Sequence, residues 1–236
     1  MESAKKYSAV IFDLDGLILD TETIARVAWR RAVLDFGAVL TDDIYRRLIG
    51  LATPDIEKVL KEVFGEVFPV DKVIPQAYSY FDRIITEDGI SVKPGFMEVI
   101  VFLDKIRHPR AVATSSSRGL TLRKLAVSDL TGIFDIVVCG DQVKKGKPAP
   151  DIFIEAARQL DIPPEECLVF EDSDNGVRAA HKAGMAVIII PDINSPSEEA
   201  KKLANNIFPS FYDVLPFLQA VIGGDTSETH SFCWDR

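Results

Sequence analysis

The chain has 236 residues, of which 47% are hydrophobic and 27% charged, ordinary values for a folded globular protein. Its 36 acidic and 27 basic side chains give a formal net charge of -9, which argues against a nucleic-acid partner. Three cysteines and three histidines, with no CxxC pair, give no support to a disulfide framework or a zinc site. No apolar run reaches the ~20 residues of a membrane helix, so we predict no membrane partner and a cytoplasmic location.

The first part of the chain pairs one strand with a long helical segment. Residues 7–13 are predicted to form a buried strand, because β-branched and aromatic side chains follow one another there. From residue 21 to 88 the pattern is helical. It predicts helices over 24–36 and 73–85, and two shorter helices that begin at Thr41 and Thr53, whose hydroxyls can cap a helix.

From residue 96 onward, predicted helices and strands alternate. The helices cover 96–106, 120–127, 152–160 and 177–183, and they lead to strands over 111–114, 136–139, 167–170 and 186–190. Such alternation favours a parallel sheet that is covered by helices on both faces.

The pattern therefore predicts an α/β fold in which a Rossmann-like parallel sheet core carries an inserted all-helical cap domain. We predict that the core comprises residues 1–20 and 90–222, and that the cap comprises residues 21–89. Residues 223–236 show no periodicity, so we predict a flexible tail there.

Two aspartates follow the first predicted strand, in the sequence Asp13-Leu14-Asp15-Gly16. Ligands of open parallel sheets bind at the carboxyl ends of strands. An ionised aspartate needs no base to act as a nucleophile, and a neighbouring one can carry a proton to or from the reacting group. An acidic turn is the alternative interpretation, since Asp and Gly are common turn residues.

Three later strand ends also carry polar side chains. Ser115 and Ser116 follow the second strand, where hydroxyls and amides could hold phosphate oxygens or cap a helix. Lys147, in Gly-Lys-Pro-Ala-Pro-Asp, could neutralise a phosphate or a carboxylate as a point charge. The alternative interpretation is that it is one lysine of a solvated basic loop. Glu171 and Asp172 end the strand over 167–170, and a carboxylate there together with Asp13 suits Mg²⁺.

Taken together and in this order, the four motifs resemble those of the haloacid dehalogenase-like (HAD) hydrolase superfamily, in its β-phosphoglucomutase-like and sugar-phosphate phosphatase branch. The resemblance covers residues 8–217, and the helical insert is similar to the family's first class of cap. It implies that Asp13 is the nucleophile and Asp15 the general acid/base. It also implies that Ser115, Ser116 and Lys147 hold the phosphoryl group.

The same resemblance implies a Mg²⁺ site formed by Asp13, the backbone carbonyl of Asp15, and Asp172, with Glu171 nearby. The implied function is a Mg²⁺-dependent phosphatase that hydrolyses a small phosphorylated metabolite through an aspartyl-phosphate. Dehalogenases lack the second aspartate of the first motif, so Asp15 favours phosphoryl transfer. We expect a monomer.

Two alternatives belong to the same fold. A β-phosphoglucomutase-type mutase is one, but its relatives carry a histidine near the position of Ala25 and an arginine near that of Thr53. Both departures favour a phosphatase. A non-catalytic binding protein is the other, and the presence of every expected catalytic group disfavours it. We expect cap residues 21–25, 46–53 and 78–83 to determine specificity.

Overall fold

A computed structural model describes residues 7–51 and 53–222, so the predicted tail over 223–236 lies outside the described residues. The strands of this part are β1 (Ala9–Phe12), β2 (Arg110–Thr114), β3 (Ile136–Cys139), β4 (Cys167–Glu171), β5 (Ala186–Ile189) and β6 (Asn206–Ile207). They form one parallel sheet in the order β3-β2-β1-β4-β5-β6. The predicted strand β1 is therefore central, with β2 and β4 on its two sides.

Helices account for most of the remaining described chain. They are α1 (Thr21–Asp35), α2 (Asp42–Leu48), α3 (Thr53–Phe64), α4 (Val70–Glu87), α5 (Phe96–Lys105), α6 (Arg118–Val127), α7 (Asp151–Leu160), α8 (Asp174–Lys182), α9 (Glu198–Leu203) and α10 (Phe211–Ile222). Two short 3-10 turns, Gly140–Gln142 and Pro164–Glu166, precede α7 and β4. No helix of these described residues is long and apolar enough to cross a bilayer.

The sheet is buried on both faces. Along β1, Val10 and Phe12 pack into one apolar cluster with α5 and α10, while Ala9 and Ile11 pack into another with α7 and α8. Side chains of a strand alternate between faces, so two apolar faces require the continuous apolar run seen in the sequence. The predicted Rossmann-like parallel sheet is confirmed.

Helices α1 to α4 pack around a third apolar cluster of their own, which includes Trp29, Leu60 and Val73. The two connections that lead to and from these helices run side by side. The backbone N–H of Asp20 donates to the carbonyl of Ser91 at 2.9 Å, and the N–H of Lys93 donates to the carbonyl of Ile18 at 2.7 Å. The inserted helical cap is confirmed, whereas its division from the core at 20/21 and 89/90 stays a prediction.

The sequence pattern missed the elements that follow β5. Strand β6 has two exposed residues, too few to show an alternation of side chains. Helix α10 contains Pro216 in its interior, a residue that normally marks a helix boundary. Helices α1 and α4 also begin three residues earlier than predicted, at Thr21 and Val70.

Candidate active site

The carboxyl ends of β1, β2 and β4 bring two carboxylates and one backbone carbonyl together around Lys147. The backbone N–H of Asp13 donates to the carbonyl of Phe170, which extends the pairing of β1 with β4. Lys147 Nζ donates to Asp13 Oδ1, to Glu171 Oε1 at 2.6 Å, and to the carbonyl of Ala113 at 3.0 Å. The lysine side chain is only 5% exposed. Lys147 is therefore a buried, fully engaged cation, unlike the exposed Lys144 and Lys145.

The Glu171 carboxylate is bonded through both of its oxygens. While Oε1 accepts from Lys147, Oε2 accepts from the backbone N–H groups of Asp172 and Ser173, each at 3.1 Å, and from Ser173 Oγ at 3.0 Å. Gly176 on α8 leaves room for it, since a Cβ there would lie 1.8 Å from the carboxyl carbon. With both oxygens bonded, Glu171 holds Lys147 in position.

Asp15 is held by a second buried lysine, on helix α6. Lys124 Nζ donates to Asp15 Oδ1 at 2.5 Å and to Ser116 Oγ at 3.0 Å. Oδ2 accepts from Ser116 Oγ at 2.8 Å and from Thr114 Oγ1 at 3.3 Å. Asp13 and Asp15 thus have different cationic partners, although they lie two residues apart.

The loop after β2 presents its side chains alternately. Thr114 and Ser116 both reach Asp15, whereas the intervening Ser115 is exposed. The carbonyl of Ser115 packs closely against Gly140, where a Cβ would lie 2.3 Å from it. The structure therefore brings Ser116 of the two predicted serines to Asp15, and adds Thr114.

Asp172 lies against Gly16, the glycine that follows Asp15. Gly16 has a φ of +83°, which side-chain-bearing residues rarely adopt, and a Cβ there would lie 2.4 Å from Asp172 Oδ2. Glycine at this turn therefore lets the Asp172 carboxylate approach the backbone that follows the two aspartates.

The pKa values of the two aspartates that follow β1 are shifted in opposite directions. Burial raises the pKa of Asp13 to about 7 against the opposing charge of Lys147, and the Glu171 and Asp15 carboxylates add to the rise. Burial also acts to raise the pKa of Asp15, but the charge and hydrogen bond of Lys124 outweigh it, so this pKa lies below its usual value.

Lys147 and Asp172 respond to the same buried negative charge. Burial acts to lower the pKa of Lys147, but the Asp13 and Glu171 carboxylates outweigh it and raise the pKa. The pKa of Asp172 lies well above its usual value because of burial and the charges of Glu171 and Asp13. Two buried carboxylates thus share Lys147, and the nearby Asp172 carboxylate adds a third negative charge, an excess that a bound cation would offset.

The oxygen atoms near Asp13 and Asp172 could bind a hard divalent ion if a backbone carbonyl is counted among the ligands. Across residues 7–51 and 53–222, no three Asp, Glu, His or Cys side chains converge as a ready set of metal ligands. Mg²⁺ in enzymes is often held by one or two carboxylates together with substrate phosphate and water. Asp13, Asp172 and the carbonyl of Asp15 fit that pattern, whereas both Glu171 oxygens are occupied by protein donors.

A cavity of about 340 Å³ separates this cluster from the cap. Its core side carries Asp15, Ser116 and Lys124. Its cap side is largely apolar, and includes Glu22, Ala25, Trp29, Leu51, Tyr78 and Phe81. All three cap segments expected to determine specificity therefore contribute residues to one cavity next to Asp15.

Sequence reasoning missed Thr114 and Lys124. Thr114 precedes the predicted serines, and the alternation of side chains beyond the strand would have paired it with Ser116. Lys124 lies on the buried face of α6 with Thr121 and Leu125, so helical spacing places it inward. Glu22, whose carboxylate accepts from Tyr45 Oη at 2.7 Å, lies in the cap segment 21–25 that was expected from the sequence to determine specificity.

Comparison with known proteins points to one family. The model of the haloacid dehalogenase-like hydrolases matches residues 10–190. A phosphorylated carbohydrates phosphatase of Thermotoga maritima is 36% identical over 177 residues, which are 75% of this chain and 82% of that protein. A fructose-1-phosphate phosphatase of Escherichia coli is 35% identical over 78% of this chain and 96% of its own.

A solved structure agrees with these matches. The HAD family hydrolase of Deinococcus radiodurans, determined with bound phosphate and sodium, has a TM-score of 0.81 and 27% identity, and the match covers 93% of this chain and 97% of that one. A parallel sheet with a helical cap and paired aspartates at the end of its central strand defines a capped hydrolase of the α/β class. The chain belongs to the haloacid dehalogenase-like hydrolases. Within that family it is a phosphoric monoester hydrolase.

Proposed function

We propose that the protein is a Mg²⁺-dependent phosphatase that hydrolyses a small phosphorylated metabolite, a sugar phosphate or a similar compound, through an aspartyl-phosphate. One observation carries the proposal. Asp13 and Asp15 lie at the carboxyl end of the central strand, the first bonded to buried Lys147 and the second at the wall of the cavity under the cap. The reacting phosphate would lie between them.

In the first step, an Asp13 carboxylate oxygen attacks phosphorus and the bond from phosphorus to the alcohol oxygen breaks. Asp15, which must first take up a proton from solvent because Lys124 keeps its pKa low, gives that proton to the leaving alcohol oxygen. In the second step, Asp15 takes a proton from the water that attacks phosphorus, and the bond between Asp13 and phosphorus breaks to release phosphate. Lys147 orients Asp13 and offsets the negative charge that accumulates between Asp13 and the phosphate. Ser115 and Ser116, in the loop after β2, would hold phosphoryl oxygens, and Lys147, whose three donors go to protein acceptors, would act on the phosphate through its positive charge.

Asp13, the backbone carbonyl of Asp15, and Asp172 would hold Mg²⁺. When bound, the ion supplies positive charge next to the phosphate oxygens. Glu171 contributes indirectly, because it fixes Lys147 and accepts from the amides of the loop that carries Asp172. A cation bound there would favour the ionised Asp13 carboxylate that the attack needs, against the burial that raises its pKa.

Hydrolysis is proposed rather than transfer to a second hydroxyl group of a sugar. Ala25, at the position where related mutases carry histidine, lines the cavity and can neither donate nor accept a proton there. Thr53, at the position of the mutase arginine, is an uncharged residue whose Oγ1 lies 3.4 Å from Tyr78 Oη. The names of the Thermotoga and Escherichia relatives also support carbohydrate phosphates as substrates.

The test incubates the purified protein and Mg²⁺ with a panel of sugar, polyol and nucleoside monophosphates, and measures free phosphate. A separate assay follows glucose 6-phosphate formed from β-glucose 1-phosphate with catalytic bisphosphate. We expect free phosphate from at least one member of the panel. Sustained glucose 6-phosphate with negligible free phosphate would instead identify a mutase.

Asp13→Asn tests the nucleophile in the same assay. The amide is nearly isosteric but a far poorer nucleophile, so we expect turnover to fall by roughly 10⁴–10⁶. The circular dichroism spectrum should be unchanged. A variant that keeps a tenth of wild-type activity would exclude Asp13 as the nucleophile.

A further inference from the structure

Asp192 has a buried carboxylate oxygen that no protein donor satisfies. It lies in the loop after β5, the strand next to β4 in the sheet. Its Oδ1 accepts from Lys93 Nζ at 2.5 Å, whereas Oδ2 is buried without a hydrogen-bond partner. An unsatisfied buried oxygen of an acidic residue is costly. It often marks the place of a water or ion.

The free oxygen of Asp192 faces the same small volume as Asp172. The point where a Cβ of Gly16 would stand lies 2.4 Å from Asp172 Oδ2 and 3.3 Å from Asp192 Oδ2. Both carboxylates also line one cavity, of about 420 Å³, at the ends of β4 and β5. Lys93 is bonded to the other oxygen of Asp192, so it leaves Oδ2 free to accept.

We propose that Asp192 is a positioning residue for the hydrated magnesium ion, and accepts hydrogen bonds through Oδ2 from water molecules on that ion. This inference rests on the proposed function, which places the ion at Asp13 and Asp172. Mg²⁺ gives up its water reluctantly and keeps several molecules when protein supplies few ligands. Those water molecules need acceptors, and outer acceptors of this kind typically contribute 10–100-fold to metal affinity.

Lys93 gives Asp192 its second role. This lysine belongs to the connection that returns from the cap, and it also lies 3.5 Å from Asp20 Oδ1 on the outgoing connection. An Asp192 that served only this ion pair would stabilise the two connections to the cap without affecting the metal. The two roles use different oxygens, so they predict different results when the charge of Asp192 is removed.

The experiment measures binding of Mn²⁺, used as the probe for Mg²⁺, to the full-length protein without substrate. The electron paramagnetic resonance signal of free Mn²⁺ gives the dissociation constant directly. The test variant is Asp192→Asn, and thermal unfolding in chelator reports whether it folds. Asp20→Asn removes the other carboxylate that contacts Lys93, and Asp174→Asn removes an equal charge from the lining of the same cavity.

We expect Asp192→Asn to weaken Mn²⁺ binding by roughly 10–100-fold, and the Asp20 and Asp174 variants to stay within about twofold of wild type. Should Asp192→Asn not fold, Asp192→Ser replaces it, with the same expectation. Unchanged affinity in the Asp192 variant, or an equal loss in Asp174→Asn, would overturn the inference. Asp172→Ala separates the two claims, because tight binding by that variant would contradict the proposed metal site itself.

Discussion

Replacement of Lys147 by alanine tests how the site balances its charges. The lysine side chain is 5% exposed and lies between Asp13 and Glu171, whose side chains are 9% and 0% exposed. Alanine removes the only lysine that either carboxylate contacts among the described residues. Two buried carboxylates then face each other without a cation, so we expect losses in both stability and activity.

The expected size follows from this burial. Breaking a buried ion pair by removing one partner typically costs about 3–5 kcal/mol, because the remaining charge stays buried. A chain of this length loses about 2–4 °C in Tm per kcal/mol, so Tm should fall by roughly 6–20 °C in the absence of metal. Loss of one electrostatic group near the reacting phosphate should lower kcat by roughly 10²–10³.

Calorimetry in chelator gives the stability, and phosphate release under saturating Mg²⁺ gives kcat. Lys144→Ala and Lys145→Ala are the matched controls, because both side chains are exposed in the same loop. Both should lie within about 0.5 kcal/mol of wild type. If Lys147→Ala behaved like these two controls in both measurements, Lys147 would be one more solvated lysine and the charge balance described for the site would be wrong.

Two further predictions concern the carboxylates that contact Lys147, which are Glu171 and Asp13. Gly176→Ala, although alanine favours a helix, should lower stability by about 1–3 kcal/mol and reduce kcat, because its Cβ would overlap the Glu171 carboxyl group. Gly119→Ala meets no atom within 4 Å and should be neutral or stabilising in the same unfolding assay, and equal effects of the two would contradict the packing argument. Asp13 has a pKa of about 7 in the folded protein, against 3.8 for an ordinary aspartate, so folding favours its protonated form. This contribution to the stability of the metal-free protein is complete below pH 4 and is lost as the pH rises through 7. Mg²⁺ should therefore raise Tm more at pH 8 than at pH 5, and an equal rise at both would refute the assignment of Asp13 as a ligand.

Strand ends and their motifs could be predicted from the sequence because their signals are local. A continuous apolar run marks β1, and the two aspartates and glycine that follow it must lie at its carboxyl end. Alternation of helices and strands implied a parallel sheet, and parallel strands place all their carboxyl ends at one edge. Strand ends thus predicted Asp13, Asp15 and Asp172 at one edge of the sheet, and the resemblance to the haloacid dehalogenase-like hydrolases added Lys147 before any distance was known.

The tertiary structure alone decided which of these groups touch. Asp15 and Lys124 are 109 residues apart in the chain and meet because β2 lies beside β1 and α6 turns its buried face inward. Glu171 and Asp172 are adjacent, yet one bonds to Lys147 and the other faces Gly16 together with Asp192. Hydrophobic patterning specifies which face of an element is buried, but a hydrogen bond depends on ångström-scale positions that only the packing of distant elements sets.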